Sequence, residues 1–188
     1  MIERLHQKSG TVRFSFEAED RQTDVNSYTF YLRYQGPLPT SNTVNVDITV
    51  SEVLLFRVGQ LPILGTYPEF EDIPEDRPLS VYSLNEIATE KIVALQDRAR
   101  NEPHDLYDLW FLTSHAGVDI GHLIGAIREK LRFREKYATG VEDRIIAKEA
   151  RLKMLWNGCL GHQMEALPQY DDAFRVVWRE LRQAGLPE

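Results

Sequence analysis

The 188 residues suffice for one large domain or two small ones sharing a core. With 22 basic against 29 acidic side chains, the net charge of −7 excludes a strongly basic nucleic-acid coat, though not a local basic patch. Eight Phe, eight Tyr and three Trp argue against disorder, no apolar run reaches the ~18 residues of a membrane helix, and the single Cys159 excludes an internal disulfide or a cysteine-cluster zinc site.

No apolar signal core follows Met1–His6, so a cytoplasmic protein is expected. Residues 1–83 are net acidic and residues 84–157 are balanced, and the secondary-structure signals change at the same point. The first part reads as strands. In 11–17, Val12, Phe14 and Phe16 alternate onto one face. Residues 28–34 are aromatic and β-favouring, and polar 19–24 reads as the hairpin loop between them. Gly36, Pro37 and Pro39 stop the second strand. Residues 43–50 form the cleanest strand, with Val44, Val46, Ile48 and Val50 expected to be buried and Asn45, Asp47 and Thr49 on the opposite face. Residues 53–56 and 79–82 are shorter strand candidates, and the stretch between them, with Pro62, Pro68, Pro74 and Pro78, reads mostly as loop.

The second part reads as helices. Ser83-Leu84-Asn85-Glu86 has the form of a capping box, in which Ser83 accepts from the Glu86 amide and the Glu86 carboxylate reaches back to the Ser83 amide. That helix is expected to run to about Arg100. Pro103 fits the first turn of the next, which spans His104 to about His115 and stops before Gly117. Further helices are expected over 120–134, 141–156 and 171–184.

Three positions stand out chemically. Asp47 sits mid-strand on the polar face, where a carboxylate can ligate a divalent metal or accept a proton, or simply meet water. Lys91 falls on the apolar stripe of Leu84, Ile87, Ala88, Ile92 and Leu95, so its charge must pair, snorkel or face a cleft such as a polyphosphate site. Asp105 and Asp108 lie three apart on one helix face. Helix-dipole stabilisation accounts for them, and the functional alternative is that Asp105 faces Lys91 in a nucleotide pocket. The acidic run 69–76 reads as a solvated loop. Arg128, Lys130, Arg132, Arg134 and Lys136 read as a solvated helix face, or else as a weak RNA-binding surface. The histidines show no metal-ligand spacing, and no G-x-S-x-G, P-loop or G-x-G-x-x-G occurs.

Taken in order, three stretches resemble the nucleotidyltransferase toxin family of abortive-infection and type IV toxin–antitoxin systems (AbiEii/AbiGii type). Residues 44–52, Val-Asn-Val-Asp-Ile-Thr-Val-Ser-Glu, resemble its strand with the third acidic position. Residues 81–95 resemble its "sleEilaeKl.Al" segment with the active-site lysine, and His104-Asp105-Leu106-Tyr107-Asp108-Leu109-Trp110 resembles its "RDlyDlw" segment. Arg98 matches an arginine that commonly lies between the two. The resemblance implies transfer of a nucleoside monophosphate from an NTP, with magnesium, to an acceptor such as tRNA, opposed by an antitoxin. Asp47 would be the third carboxylate, helping to hold the metal or activating the acceptor hydroxyl. Lys91 would bind triphosphate or stabilise charge in the transition state. Asp105 would be the downstream acidic residue, and Arg98 and Asp108 would contact the nucleotide.

The sequence departs from the family in two ways. His104 stands where the family has the arginine of "RD", and the Gly-Ser turn with an Asp-x-Asp pair that opens the family is not found ahead of Asp47. The expectation is a C-terminal portion of a nucleotidyltransferase-like toxin, with little or no activity by itself and with the first segment on an upstream polypeptide, or lost by truncation or a misannotated start. The alternative is a non-catalytic, degenerate relative that binds an antitoxin. The expected architecture is α+β, with an incomplete, mainly antiparallel nucleotidyltransferase-like sheet in 1–82, a helical region in 83–188 and one shared cleft. A sheet lacking its first strands should expose an edge or apolar surface and favour self-association or a covering partner.

Overall fold

The computed structural model describes residues 13–22, 27–36, 40–50, 52–64, 78–97, 99–134 and 140–186. The expected strand residues Thr11 and Val12, the acidic run 69–76, Arg98 and Lys136 lie outside them. The fold is α+β, as expected, and divides into two compact units, Met1–Val53 and Leu54–Glu188.

The first unit is an antiparallel meander of β1 (Arg13–Gln22), β2 (Ser27–Gln35) and β3 (Asn42–Thr49), with β2 central. The polar residues 19–22, expected in a loop, instead continue β1, since Glu19 pairs with Phe30 and Gln22 with Ser27. A register shift between Phe16 and Ala18 leaves Glu17 as the extra residue of a bulge, and Glu17 forms an ion pair with Arg33 on β2. Directly opposed residues share a face, so the register collects Phe14, Phe16, Tyr28, Phe30, Leu32, Tyr34, Val44, Val46 and Ile48 on one side of the sheet. Thr29, Tyr31, Asn45 and Asp47 lie on the other. The apolar face of β3 was expected to be buried. Only Val46 is half-buried, while Val44, Ile48 and Val50 are exposed.

The second unit opens with a small hairpin of β4 (Gly59–Leu61) and β5 (Leu79–Val81), so part of the proline-rich stretch is strand rather than loop. Residues 53–56 are not a strand, because the Leu55 and Phe56 amides donate to a carboxylate instead of to a ladder. Among the described residues six α-helices follow: α1 (Leu84–Leu95), α2 (Pro103–Ser114), α3 (Ile124–Phe133), α4 (Val141–Ile146), α5 (Glu149–Leu160) and α6 (Tyr170–Gln183). None is long and apolar enough to cross a membrane, among the described residues.

The core lies among these helices. Leu106, Leu109 and Leu112 of α2 meet Ala88, Ile92 and Leu95 of α1, and Leu152, Trp156 and Leu160 recur every four residues to bring α5 into the same core. Gly117, at φ +70°, turns the chain after α2. α1 ends at Leu95 rather than near Arg100. Its last carbonyl, Leu95 O, and Asp97 O just beyond it both accept from Lys148 Nζ at 2.9 Å. The expected helix 141–156 is broken at Ala147–Lys148, where the backbone tightens to a Lys148 N–Ile145 O bond, and this is the position from which Lys148 turns inward. The expected helix 120–134 begins as a 3-10 turn, Ile120–Leu123, capped by Asp119.

Candidate functional site

Lys91 is set by its helix. Ser83 caps α1 by accepting from the Glu86 amide at 3.1 Å, and Ala88, Ile92 and Leu95 fix the buried face. Only half of the expected capping box forms. The Glu86 carboxylate is turned away from Ser83 and is wholly buried. It accepts from Leu55 N at 3.0 Å and Phe56 N at 2.9 Å and lies 2.6 Å from Lys130 Nζ.

On the same helix as Glu86, Lys91 projects toward α2, where Pro103 sits in the first turn and Asp105 and Asp108 follow at three-residue spacing. Lys91 Nζ is 3.1 Å from Asp105 Oδ1 and 2.6 Å from Asp108 Oδ2. Of the three responses open to a lysine on an apolar stripe, the chain adopts pairing, at the wall of a pocket. The three side chains differ in access: Asp105 is 2% exposed, Lys91 24% and Asp108 38%. Burial alone would lower the lysine's pKa, but hydrogen bonds to Asp108 and Asp105 outweigh it and hold the pKa above its ordinary value. Lys91 is therefore charged at neutral pH.

Asp105 has a second cation that the sequence reading missed. Arg100 Nε donates to Asp105 Oδ2 at 2.7 Å and its terminal NH2 to Oδ1 at 3.3 Å, a two-bond fork that raises the guanidinium pKa. The signal was an arginine five residues ahead of Asp105, obscured by the expected continuation of α1. His104, in the place of the family's arginine, instead faces Gln163, with Nε2 3.3 Å from Oε1. Arg98, expected beside the nucleotide, lies outside the described residues.

A pocket of about 330 Å³ is lined by Lys91, Arg100, Asp105, Arg134, Glu90 and their neighbours. Arg134 reaches it from α3 and bonds Glu90 Oε2 at 2.6 Å. The expected solvated basic face holds for Arg128 and Arg132, which are exposed, but not for Lys130, wholly buried between Glu86 and Glu90, nor for Arg134, tied to Glu90.

Asp47, in the first unit, is exposed on the polar face of β3. Its Oδ1 accepts from Thr29 Oγ1 at 2.6 Å, across the strand pair that the register sets. Among the described residues no three His, Cys, Asp or Glu side chains converge to hold a metal ion. The described donors therefore do not make a two-magnesium centre.

A search of curated proteins and a search of solved structures each gave no match. The family model described as "Nucleotidyl transferase AbiEii toxin, Type IV TA system" matches residues 1–179, nearly the whole chain and all three stretches that carried the resemblance. With Lys91 and Asp105 paired at the wall of one pocket, and with that match, the chain belongs to the AbiEii family of nucleotidyl transferase toxins of type IV toxin–antitoxin systems.

Proposed function

We propose that this chain carries the lysine–aspartate portion of a nucleotidyl transferase site. It would transfer a nucleoside monophosphate from an NTP to an acceptor such as tRNA once joined by a segment bearing a Gly-Ser turn and an Asp-x-Asp pair. The observation that supports this reading best is Lys91, a charged and partly buried ammonium held by Asp105 and Asp108 beside a pocket that Arg100 and Arg134 also line. A lysine placed in this way offers a compact positive charge to a triphosphate. Asp47 would serve as the third carboxylate. The family also implies an antitoxin as partner.

The test is transfer of α-phosphate label from NTPs to tRNA in the presence of magnesium. The chain alone is expected to give little or no transfer. Adding a polypeptide with the missing segment should restore it, and Lys91→Ala or Asp47→Asn should abolish the restored signal. Transfer by the chain alone that disappears in Asp47→Asn would refute its dependence on a second segment.

A second reading, a non-catalytic module that binds an antitoxin, draws on a different feature. Phe16, Val44 and Ile48 share one sheet face and are all exposed, as an interaction surface would be. Failure of every added segment to restore transfer, together with antitoxin binding lost on Ile48→Lys, would favour it.

A further inference from the structure

The charged pocket has a neighbour. A second pocket, also about 330 Å³, is lined by Ile87, Tyr107, Asp108, Phe111 and Leu112. Lys91 lines the first and Asp108 the second, so the two meet at the 2.6 Å ion pair between them. Helix geometry fixes the order of groups. On α2, Asp105, Asp108 and Phe111 recur every three residues and lie along one face. On α1, Ala94 lines the same pocket as Asp105, and Ile87 lines the same pocket as Phe111, so the two helices run antiparallel. The groove between them changes from ionic to aromatic over the six residues from Asp105 to Phe111, about 9 Å at 1.5 Å per residue.

We propose that the aromatic pocket seats the base of the nucleotide whose phosphates lie against Lys91, with Phe111 as its stacking platform. The inference rests on the nucleotide reading above and adds the part of the ligand that this reading leaves unplaced. Phe111 is 46% exposed, although its ring is already stacked on His115 with centroids 5.3 Å apart and planes 9° from parallel. A flat apolar surface held rigid and left half in water gains most from a flat partner. Tyr107 forms the other aromatic wall, braced by Trp110 at 5.6 Å and Trp156 at 6.3 Å between centroids. Every base has a π-face, so stacking on such a ring works for any of the four. The volume lies at the lower end for small-molecule sites, fitting a base and its ribose rather than a protein segment. The adjoining pocket sets Lys91, Arg100 and Arg134 against Glu90, Asp97 and Asp105, so it offers a phosphate no net charge but the directed donor of an ammonium that stays 24% exposed at its wall.

The experiment is calorimetric titration of the 188-residue chain with each NTP and, separately, with inorganic tripolyphosphate. The wild-type chain should bind NTPs more tightly than tripolyphosphate. Phe111→Ala should weaken NTP binding roughly 5- to 150-fold, the range that base–aromatic stacking spans, and leave tripolyphosphate affinity unchanged. Phe111→Tyr should retain NTP affinity. Phe111 is half exposed, so its truncation leaves the fold intact, and unchanged circular dichroism checks this. If Phe111→Ala leaves NTP affinity unchanged, or lowers both ligands equally, the base site is refuted while phosphate binding at Lys91 stands. If neither ligand binds the wild-type chain, with or without the added segment, the nucleotide reading falls and the base site falls with it.

Discussion

Replacing Lys130 by Met separates a buried ion pair from a solvated helix face. Lys130 has no exposed surface, and its ammonium lies 2.6 Å from Glu86, itself 1% exposed, and against Glu90. Met matches the stem's length and apolar character but leaves the Glu86 carboxylate buried without its cation. Removing one member of a buried pair costs ~3–5 kcal/mol. Glu86 keeps two amide donors, Leu55 N and Phe56 N, which hold part of its charge, so the expected loss lies toward the lower end, about 3 kcal/mol. Against a typical total of ~5–15 kcal/mol this is a large fraction. Urea denaturation followed by far-ultraviolet circular dichroism reports on the helical unit that contains the pair. Adding Glu86→Gln removes the stranded charge, and the double variant should recover part of the loss, with a coupling of ~0.5–3 kcal/mol.

The pH dependence has a definite sign. Burial pulls the Lys130 pKa down, but hydrogen bonds to Glu86 and Glu90 outweigh it, so the folded pKa lies above the ordinary 10.5. A raised pKa gives stability that is fully present below 10.5 and lost as pH rises through the folded value. The gap between wild type and Lys130→Met should therefore be constant from neutral pH to about 9 and shrink above 10.5. A Lys130→Met loss within ~0.5 kcal/mol, the range of ordinary surface substitutions, would refute the buried-pair account.

Other consequences follow from the same geometry. Asp105→Asn leaves Lys91 and Arg100 without the carboxylate they share and should cost ~1.5–3 kcal/mol in urea denaturation, the range for hydrogen bonds to charged groups. Lys148→Met removes the ammonium that donates to the Leu95 and Asp97 carbonyls, so amides in the last turn of α1 should exchange with deuterium faster while those of α6 stay protected. Ile48→Lys places a charge on the exposed apolar face of the sheet. It should change stability by no more than ~0.5 kcal/mol and lower any self-association seen by sedimentation velocity, and a wild-type chain that stays monomeric at high concentration would refute the association.

What could be read in the sequence divides by distance along the chain. Pro103 and Gly117 bracket α2, and Ser83 marks the start of α1, because these signals act within a turn of the residue that carries them. Lys91 on an apolar stripe required a partner or a cleft, and Asp105 was one of the two outcomes foreseen for its own position. Glu86 was misjudged for the opposite reason. Its local pattern completes a capping box, yet its partners lie 30 and 31 residues upstream and 44 downstream in Lys130. The alternating charges of 128–136 hid Lys130 in the same way. The break at Ala147–Lys148 carries neither Gly nor Pro, and what accompanies it is distant in sequence, the bonds from Lys148 to Leu95 O and Asp97 O. Alternation in β3 told which residues share a face but not whether anything covers that face.

The Lys91 cluster poses a problem for any phosphate ligand, since two cations, Lys91 and Arg100, already face two carboxylates, Asp105 and Asp108. Charge balance alone would give no net attraction. The ammonium, however, has three donors, and the two carboxylates engage two of them. Lys91 is still 24% exposed at the pocket wall, so a third donor can turn to a phosphate oxygen without breaking either pair. The carboxylates also differ in how firmly they are held. Asp105 is buried and forked by Arg100, whereas Asp108 is 38% exposed and can yield to a phosphate at lower cost. In the nucleotide reading Asp105 therefore aims the lysine and Asp108 is the contact that gives way, so Asp108→Asn should tighten tripolyphosphate binding where Asp105→Asn weakens it. Titration of the two variants side by side measures the difference, and equal effects in the same direction would remove this division of roles.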